Sequence, residues 1–341
     1  MTHRTTPARR RENMSLELPQ AIDYFCTSMT LEGKSPETIV WHRKKLPAFA
    51  QFLQQRGHSL KVIDLDLDDA RSFIKDLMER KTRYSAHVLR KEIEGGLAIS
   101  TIHGYTRSLR TFSSFLEREG HTDCNIFAGL KPPKLPQILI EPLTEDEIRK
   151  ILLTIPQDTP EGARSYAIVL LFLDTGIRLS ELINLRISQI DWAGGQFKVF
   201  GKGSKERIVP MGIAARRAVM RYKDHYRSEP VNPNEACLFL TMAGQPISKD
   251  SVEKLVQRLA RKADIPRLHP HLMRHTFAVR YLINGGDVFT LQKILGHTTL
   301  DMTRRYVTLA NSDVKDKHRQ YSPIDNLGLA ERRRGRPKAI A

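Results

Sequence analysis

The stretch QIDWAGGQFKVFGKGSKERIVPM, residues 189–211, interrupts a chain whose other segments mostly show a helical spacing of apolar residues. Alternating apolar and polar residues within it, separated by glycine-containing turns at 194–195 and 201–206, predict three short strands. We therefore expect a mainly α protein with a small three-stranded antiparallel β-sheet in its second half.

Apolar residues at spacings of three and four predict helices in the first half of the chain. The first helix is marked by Ile22, Phe25, Cys26 and Met29. A second helix begins after Ser35, a suitable N-cap that is followed by proline, and Pro47 is expected to kink or divide it. Two more helices are predicted near 66–81 and 100–120, and the basic insert 82–96 between them is either a helical extension or a loop.

A proline-rich segment separates two predicted domains. Residues 130–147 contain four prolines and no helical periodicity, which indicates a linker. Thr144 and Glu147 stand three residues apart, the spacing of a capping box at a helix start. The predicted organisation is a basic disordered N-terminus at 1–14, a helical domain at 15–130, a linker at 131–142, a larger domain at 143–320 and a C-terminal segment with a basic tail at 321–341.

The composition indicates a polyanionic partner. The chain of 341 residues carries 55 Lys and Arg against 38 Asp and Glu, a net charge of +17. Nucleic acid fits this excess better than a membrane does, because the charge is spread along the whole chain, and a merely basic soluble protein is the alternative. The sequence has neither an apolar run of bilayer length nor the apolar region of a signal peptide, so we expect a cytoplasmic protein.

The spacing of cysteines and histidines supports neither a disulfide framework nor a zinc site. The three cysteines are far apart in the sequence, which favours buried free thiols. The histidines that come nearest to a metal pattern are His271, His275 and His297. No cysteine or acidic residue stands at metal spacing to complete such a set, so neither a metal nor another cofactor is expected.

Seven residues in the second half have side chains suited to a phosphodiester. They are Arg178, Glu181, Lys202, His271, Arg274, His297 and Tyr306. An arginine fork binds two phosphate oxygens at once, and fixed cations stabilise the added charge of a pentavalent transition state. A tyrosine can attack phosphorus, and a lysine or histidine can protonate the leaving sugar oxygen. Taken singly, each has a simpler interpretation: Arg178 would form a surface ion pair with Glu181, Lys202 would be an ordinary turn lysine, and Tyr306 would pack on a helix face.

Four segments together resemble the tyrosine recombinase, or phage integrase, family. In order, they read TGIRLSEL, GKGSKERIVP, HPHLMRHTFA and LGHTTLDMTRRYV. The resemblance covers most of the chain and is strongest from 144 to about 308. It implies a two-domain DNA clamp, in which a helical core-binding domain of the SAM-like type precedes a tyrosine recombinase catalytic domain.

The resemblance also implies which residues act on the scissile phosphate. Arg178 and Arg274 would bind its nonbridging oxygens, and Tyr306 would attack the phosphorus. Lys202 would be the general acid at the 5′ oxygen.

Supporting roles follow for the other three residues. By the same resemblance, His271 would act in acid–base transfer within reach of the tyrosine hydroxyl. His297 would donate to a phosphate oxygen or order the site, and Glu181 would orient its neighbours.

A site-specific DNA recombinase is the function that the resemblance implies. Such an enzyme would cleave and rejoin strands through a 3′-phosphotyrosyl intermediate and a Holliday junction, without metal or ATP. Its partners would be double-stranded DNA and copies of itself in a homo-tetramer, with or without a related recombinase or an accessory DNA-bending protein, at the bacterial nucleoid. The alternatives are a topoisomerase-like nicking–closing enzyme and a non-catalytic DNA-binding regulator of the same fold.

Further residues are candidates for contacts with DNA or with a neighbouring copy. Those on the first-half helices are His42, Arg43, Lys44, Lys45, Arg107 and Arg110. Near the C-terminus, Arg334 and Arg336 flank a glycine, as in an AT-hook, and a disordered tail that touches phosphates without preference is the alternative. The apolar string Ile324, Leu327 and Leu329 is expected, by the resemblance, to dock on a neighbouring copy, and packing on its own chain is the alternative.

Overall fold

The computed structural model describes residues 16–83, 93–136, 140–201 and 206–297, together with Thr299, Thr303, Tyr306 and residues 322–324. The chain divides into two compact units, Met1–Ile138 and Leu139–Ala341. Each unit has its own buried apolar core. Among the described helices, none is both long enough and apolar enough to cross a membrane.

Four helices form the described part of the first unit. They are α1 (Leu18–Leu31), α2 (Pro36–Gln55), α3 (Leu67–Glu79) and α4 (Ile99–Arg118), with a 3-10 turn at Val62–Asp64. The apolar stripe predicted for α1 is buried, and it shares one core with Phe49 of α2, Phe73 of α3 and Phe112 of α4. The predicted cap of α2 is present, because Ser35 Oγ accepts a hydrogen bond from the backbone N–H of Thr38.

Pro47 does not divide α2, which was one of the two effects expected of it. The helix runs as one element from Pro36 to Gln55 with the proline inside it. Pro47 lacks the N–H that would bond the carbonyl of Arg43. Both residues are exposed, so water can satisfy that carbonyl and the packed face of the helix continues unbroken.

His42 is a core residue, and its expected place among the DNA contacts is wrong. The residue is 4% exposed, its Nδ1 lies 2.8 Å from Oγ of Ser108, and its ring packs edge-on against Phe25. Burial, followed by the positive charges of Arg107 and Lys45, lowers the pKa of His42 to about 4. A buried, neutral imidazole cannot act as a cationic contact to a DNA phosphate.

Two smaller expectations for the first unit also need correction. The ends of the basic insert pair antiparallel as β1 (Thr82–Arg83) and β2 (Ile93–Glu94), which neither expectation included. Residues 84–92 lie outside the described residues. All three cysteines are free, but only Cys26 is buried: Cys124 is exposed in the turn region after α4, and Cys237 of the second unit is half-buried.

The described part of the second unit is mostly helical with one sheet, as predicted. Its helices are α5 (Glu145–Leu153), α6 (Pro160–Thr175), α7 (Leu179–Ile183), α8 (Ile213–Arg221), α9 (Lys249–Lys262), α10 (Pro270–Ile283) and α11 (Val288–Leu295). Its strands are β3 (Ile190–Asp191), β4 (Gln196–Phe200) and β5 (Glu206–Pro210), antiparallel and in that order across the sheet. The predicted capping box of α5 is present, since Thr144 and Glu147 exchange backbone-to-side-chain hydrogen bonds of 2.8 and 3.2 Å.

The sheet buries one face against the helices. Phe197 and Val199 of β4 are buried, and Phe197 pairs with the buried Val209 of β5. The residues that alternate with them along each strand are more exposed. These apolar side chains join the core that contains Phe172 of α6 and Leu291 of α11. The sheet therefore brings the start of β5 next to the helices that carry the site.

Candidate active site

The turn after α6 places Arg178 at the edge of the second core. The helix is capped by Gly176, whose φ of 59° is left-handed. A Cβ at this position would lie 2.4 Å from Cδ1 of Phe277, so only glycine fits. The next helix, α7, has Arg178 as its N-cap, and Glu181 accepts hydrogen bonds of 2.9 Å from both the backbone N–H and Nη1 of Arg178.

Arg207, which the sequence reasoning did not single out, binds the same carboxylate. Its Nη1 and Nη2 donate to the two oxygens of Glu181 at 2.7 and 2.8 Å, and its Nε donates to the carbonyl of Ile294 at 2.7 Å. Burial would raise the pKa of Glu181, but the hydrogen bonds from Arg207 and Arg178 outweigh burial and lower it. The one available signal was the motif GKGSKERIVP, in which Arg207 follows the lysine turn.

Arg274 is buried on α10, with 6% of its surface exposed. Its guanidinium donates to the carbonyls of Gly176 and Leu295, the second at 2.8 Å. Burial, followed by the positive charge of Arg178, lowers the pKa of Arg274 to about 10, which still leaves it charged at neutral pH. The side chain is therefore a cation fixed between the ends of α6 and α11.

Three arginines converge on the C-terminal end of α11. Arg207, Arg274 and Arg178 donate in turn to the successive carbonyls of residues 294–296. A helix C-terminus leaves carbonyls without helical partners and carries partial negative charge, so it favours cations. Gly296 has a φ of 63°, and a Cβ there would lie 2.9 Å from Cδ of Arg207. Glycine at this position lets the arginine approach the helix end.

His297 follows this helix end and is bonded through both ring nitrogens. Nε2 lies 3.2 Å from Nη2 of Arg274, and Nδ1 lies 3.0 Å from Oγ1 of Thr303. Because an arginine can only donate, Nε2 is the acceptor and Nδ1–H donates to Thr303. Burial, followed by the charges of Arg274 and Arg178, lowers the pKa of His297 to about 4. Of its two expected roles, this arrangement favours ordering the site over donating to a phosphate.

Tyr306 is half-buried beside these groups and packs against the second core. Its ring centroid lies 6.0 Å from that of His297, with a 20° angle between the planes, and 5.2 Å from that of His275, with a 53° angle. His271 is exposed on the first turn of α10, and it is not among the described histidines that pack on Tyr306. Partial desolvation, followed by the charge of Arg274, lowers the pKa of His271.

Several predicted residues lie outside the described residues. Lys202 falls within 202–205, between the paired ends of β4 and β5. The others are Leu327, Leu329, Arg334 and Arg336. Ile324 is described and is 62% exposed.

The basic residues predicted on α2 and α4 divide into two kinds. Arg43, Lys44, Arg107 and Arg110 are exposed. Lys45 is half-buried, with Nζ 4.1 Å from the ring centroid of Tyr105, so its charge already has an aromatic partner.

The site offers a fixed cationic cradle for an anion. An arginine side chain has five N–H donors. The side-chain bonds above use two of them in Arg178 and at most three in Arg274, which leaves donors on both for phosphate oxygens. In the part of the chain that the structure describes, no three His, Cys, Asp or Glu side chains are grouped as metal ligands.

Comparison with solved structures supports this fold. The XerH site-specific recombinase bound to its palindromic difH substrate gives a TM-score of 0.67 at 18% identity, covering 94% of this chain and 91% of that one. A lambda integrase dimer bound to a COC' core site gives 0.64 at 17% identity, covering 84% and 97%. At these identities the likeness shows the shared fold.

Comparison of sequences shows the family. Residues 141–313, half of the chain, match the Phage integrase family. The tyrosine recombinase XerC of Oceanobacillus iheyensis is 32% identical over 315 residues, which cover 91% of this chain and 98% of that protein. The XerC of Staphylococcus aureus is 31% identical over 294 residues, which cover 85% and 92%. This chain therefore belongs to the phage integrase family of tyrosine recombinases.

Proposed function

We propose that this tyrosine recombinase cleaves and rejoins DNA strands at specific sites through a 3′-phosphotyrosyl intermediate at Tyr306 and a Holliday junction, without metal or ATP. The observation that carries the proposal is the pair Arg178 and Arg274, fixed by carbonyls at the ends of α6 and α11, with His297 linking Arg274 to the tyrosine ring. Preorganised cations beside a nucleophile supply what attack on a phosphodiester requires.

In the cleavage step, the Tyr306 oxygen bonds to phosphorus and the bond to the 5′ oxygen breaks. The tyrosine proton passes to His271, whose lowered pKa keeps the imidazole neutral and able to accept it at pH 7. Lys202 donates a proton to the departing 5′ oxygen. Arg178 and Arg274 bind the nonbridging oxygens and stabilise the charge that accumulates on them.

Rejoining is the same chemistry in reverse. The 5′ hydroxyl of the partner duplex attacks the phosphorus and gives its proton to Lys202, while the tyrosine oxygen leaves and takes back the proton held by His271. One exchange of strands produces a Holliday junction and a second resolves it. The phosphotyrosyl bond keeps the free energy of the broken diester, so ATP is not needed, and the arginines and the lysine supply positive charge without a metal.

Both units would bind the duplex as a clamp joined by the linker 131–142. The exposed basic side chains of α2 and α4, and the net charge of +17, support DNA contacts by the first unit. The active form would be a homo-tetramer on two sites at the nucleoid, with or without a related recombinase or a DNA-bending protein. The exposed Ile324 supports docking of the C-terminal segment on a neighbouring copy.

A plasmid assay tests the proposal. Footprinting on DNA that flanks the coding region first identifies the bound site, and two copies of that site are then placed on one supercoiled plasmid. We expect excision or inversion with the wild-type chain and none with Tyr306→Phe, which keeps the ring but lacks the nucleophile. Relaxation without exchange would indicate a topoisomerase-like enzyme, and binding without either would indicate a regulator; each result would overturn the proposal.

A further inference from the structure

The segment that enters the second unit is fixed along α10. Oγ1 of Thr276 accepts a hydrogen bond of 2.9 Å from the backbone N–H of Leu143, and Arg280 donates to the carbonyl of Leu143 at 3.1 and 3.2 Å. His275 Nε2 lies 2.6 Å from the carbonyl oxygen of Ile140. Three polar side chains within two turns of one helix therefore hold the end of the predicted linker and the residue that follows it.

His275 is the member of this group whose ring also packs on Tyr306. The two ring centroids are 5.2 Å apart, which is contact distance for aromatic side chains. A carbonyl oxygen can only accept, so His275 Nε2 carries the proton and donates it to Ile140. This bond fixes both the tautomer and the plane of the ring on which the tyrosine lies.

The His275 imidazole that packs on Tyr306 is neutral at pH 7, and its orientation is fixed. Burial lowers the pKa of His275, and the hydrogen bond to Ile140 opposes that effect without cancelling it. The Tyr306 ring also packs against His297, which is hydrogen-bonded to Arg274 and Thr303. The tyrosine ring therefore touches two imidazoles whose orientations are set by separate hydrogen bonds.

We propose that His275 is a positioning residue for Tyr306, and that the carbonyl of Ile140 sets its orientation. The position of the nucleophile then depends on the backbone segment that leads into the second unit. The hydrogen bond of His275 goes to a backbone carbonyl, so the role proposed for it is distinct from those of His271 and the arginines. The inference rests on the proposed function, in which Tyr306 attacks the phosphate.

Two substitutions of His275 separate its hydrogen bond from its ring. His275→Phe keeps a ring for Tyr306 but cannot donate to Ile140, whereas His275→Gln keeps an N–H donor but has no ring. Thr276→Val is the matched control, because it removes a hydrogen bond to the same segment from a residue whose side chain makes no ring contact with Tyr306. The full-length proteins are compared on a synthetic duplex that carries the footprinted site and a nick that traps the covalent adduct.

We expect both His275 variants to form the adduct at least about tenfold more slowly than wild type in single-turnover experiments, because small displacements of a reacting group are costly in rate. Their affinity for the uncleaved duplex should stay within about twofold, and Thr276→Val should form the adduct at nearly the wild-type rate. Wild-type rates in both His275 variants, or an equal loss in Thr276→Val, would overturn the inference.

A joining reaction that bypasses the tyrosine excludes a general disturbance of the site. In the Tyr306→Phe background, a strand with a 3′ p-nitrophenyl phosphate is joined to a 5′ hydroxyl, which displaces nitrophenol and still requires the arginines. His275→Phe should leave this rate within about twofold, since there is no nucleophile to position. A loss as large as that in adduct formation would assign His275 to the arginine cradle instead. A wild-type chain that forms no adduct would refute the proposed function itself, which distinguishes the two failures.

Discussion

Replacing Arg207 with methionine tests the cluster that organises the site. The substitution keeps an unbranched side chain of similar length and removes three hydrogen bonds, two to Glu181 and one to the carbonyl of Ile294. The ion pair is buried, since the Arg207 and Glu181 side chains are 11% and 4% exposed.

The expected cost is about 3 kcal/mol of unfolding free energy. Removing one partner of a buried ion pair typically costs 3–5 kcal/mol, because the other charge is left buried. Glu181 keeps its two bonds from Arg178, which places the cost at the low end of that range. Arg207→Lys keeps the charge but cannot reproduce the fork, so we expect roughly half that loss.

Urea unfolding measures the change in unfolding free energy of the second compact unit, which contains Arg207. The chain has two tryptophans, Trp41 in the first unit and Trp192 in the second. In a Trp41→Phe background the fluorescence change reports only the second unit, where Trp192 packs against the core. The linear dependence of free energy on urea then gives the difference between variants.

The matched control is Arg258→Met. Arg258 pairs with Glu161 at 2.7 Å, but the two side chains are 51% and 53% exposed, and such surface pairs contribute about 0–1 kcal/mol. A loss below about 1 kcal/mol for Arg207→Met, or an equal loss for both variants, would refute the view that the buried cluster stabilises the site.

Three further outcomes are expected. Lys202→Ala should lower the cleavage rate by about 10²–10⁴ while sparing affinity, and a 5′-phosphorothiolate substrate, whose sulfur leaves without a proton, should restore it; rescue of His271→Ala instead would reverse the two roles. The folded state favours neutral His42, with a pKa of about 4 against an ordinary 6.5, so its stabilisation is complete above pH 6.5 and is lost as pH falls toward 4. In a Trp192→Phe background, unfolding monitored by Trp41 should show a loss of about 3 kcal/mol across that window, and His42→Gln should flatten this pH dependence; the same pH dependence in His42→Gln would contradict the burial argument. Deleting residues 332–341 should weaken binding most on A·T-flanked probes if Arg334 and Arg336 enter the minor groove, and an equal loss on G·C-flanked probes would leave a generic basic tail.

Local patterns made much of the fold predictable. The strands β4 and β5, the caps at Ser35 and Thr144, and the buried stripe of α1 follow from alternation, capping spacing and helical periodicity, all of which act over a few residues. The burial of His42 also has a local signal in the sequence. It precedes the buried Leu46 and Phe49 by four and seven residues, which places it on the packed face of α2 rather than the basic one.

Long-range contacts limited the prediction of the site. Arg207 lies 26 residues from Glu181 and 87 from Ile294, and in a strand it reads as an ordinary exposed charge. The contact between His275 and Ile140 spans 135 residues and uses a backbone carbonyl, which no side-chain pattern reveals. Motif spacing identified candidate residues along the chain, whereas the carbonyls that orient them become apparent only in the folded unit.

Mapping the covalent attachment tests the central claim most directly. Wild-type chain is incubated with the nicked duplex that traps cleavage, and the digested adduct is sequenced by mass spectrometry with the DNA remnant attached. We expect a 3′-phosphate joined to Tyr306 and a matching free 5′ hydroxyl on the released strand. Attachment to another residue, or to a 5′-phosphate, would contradict the account.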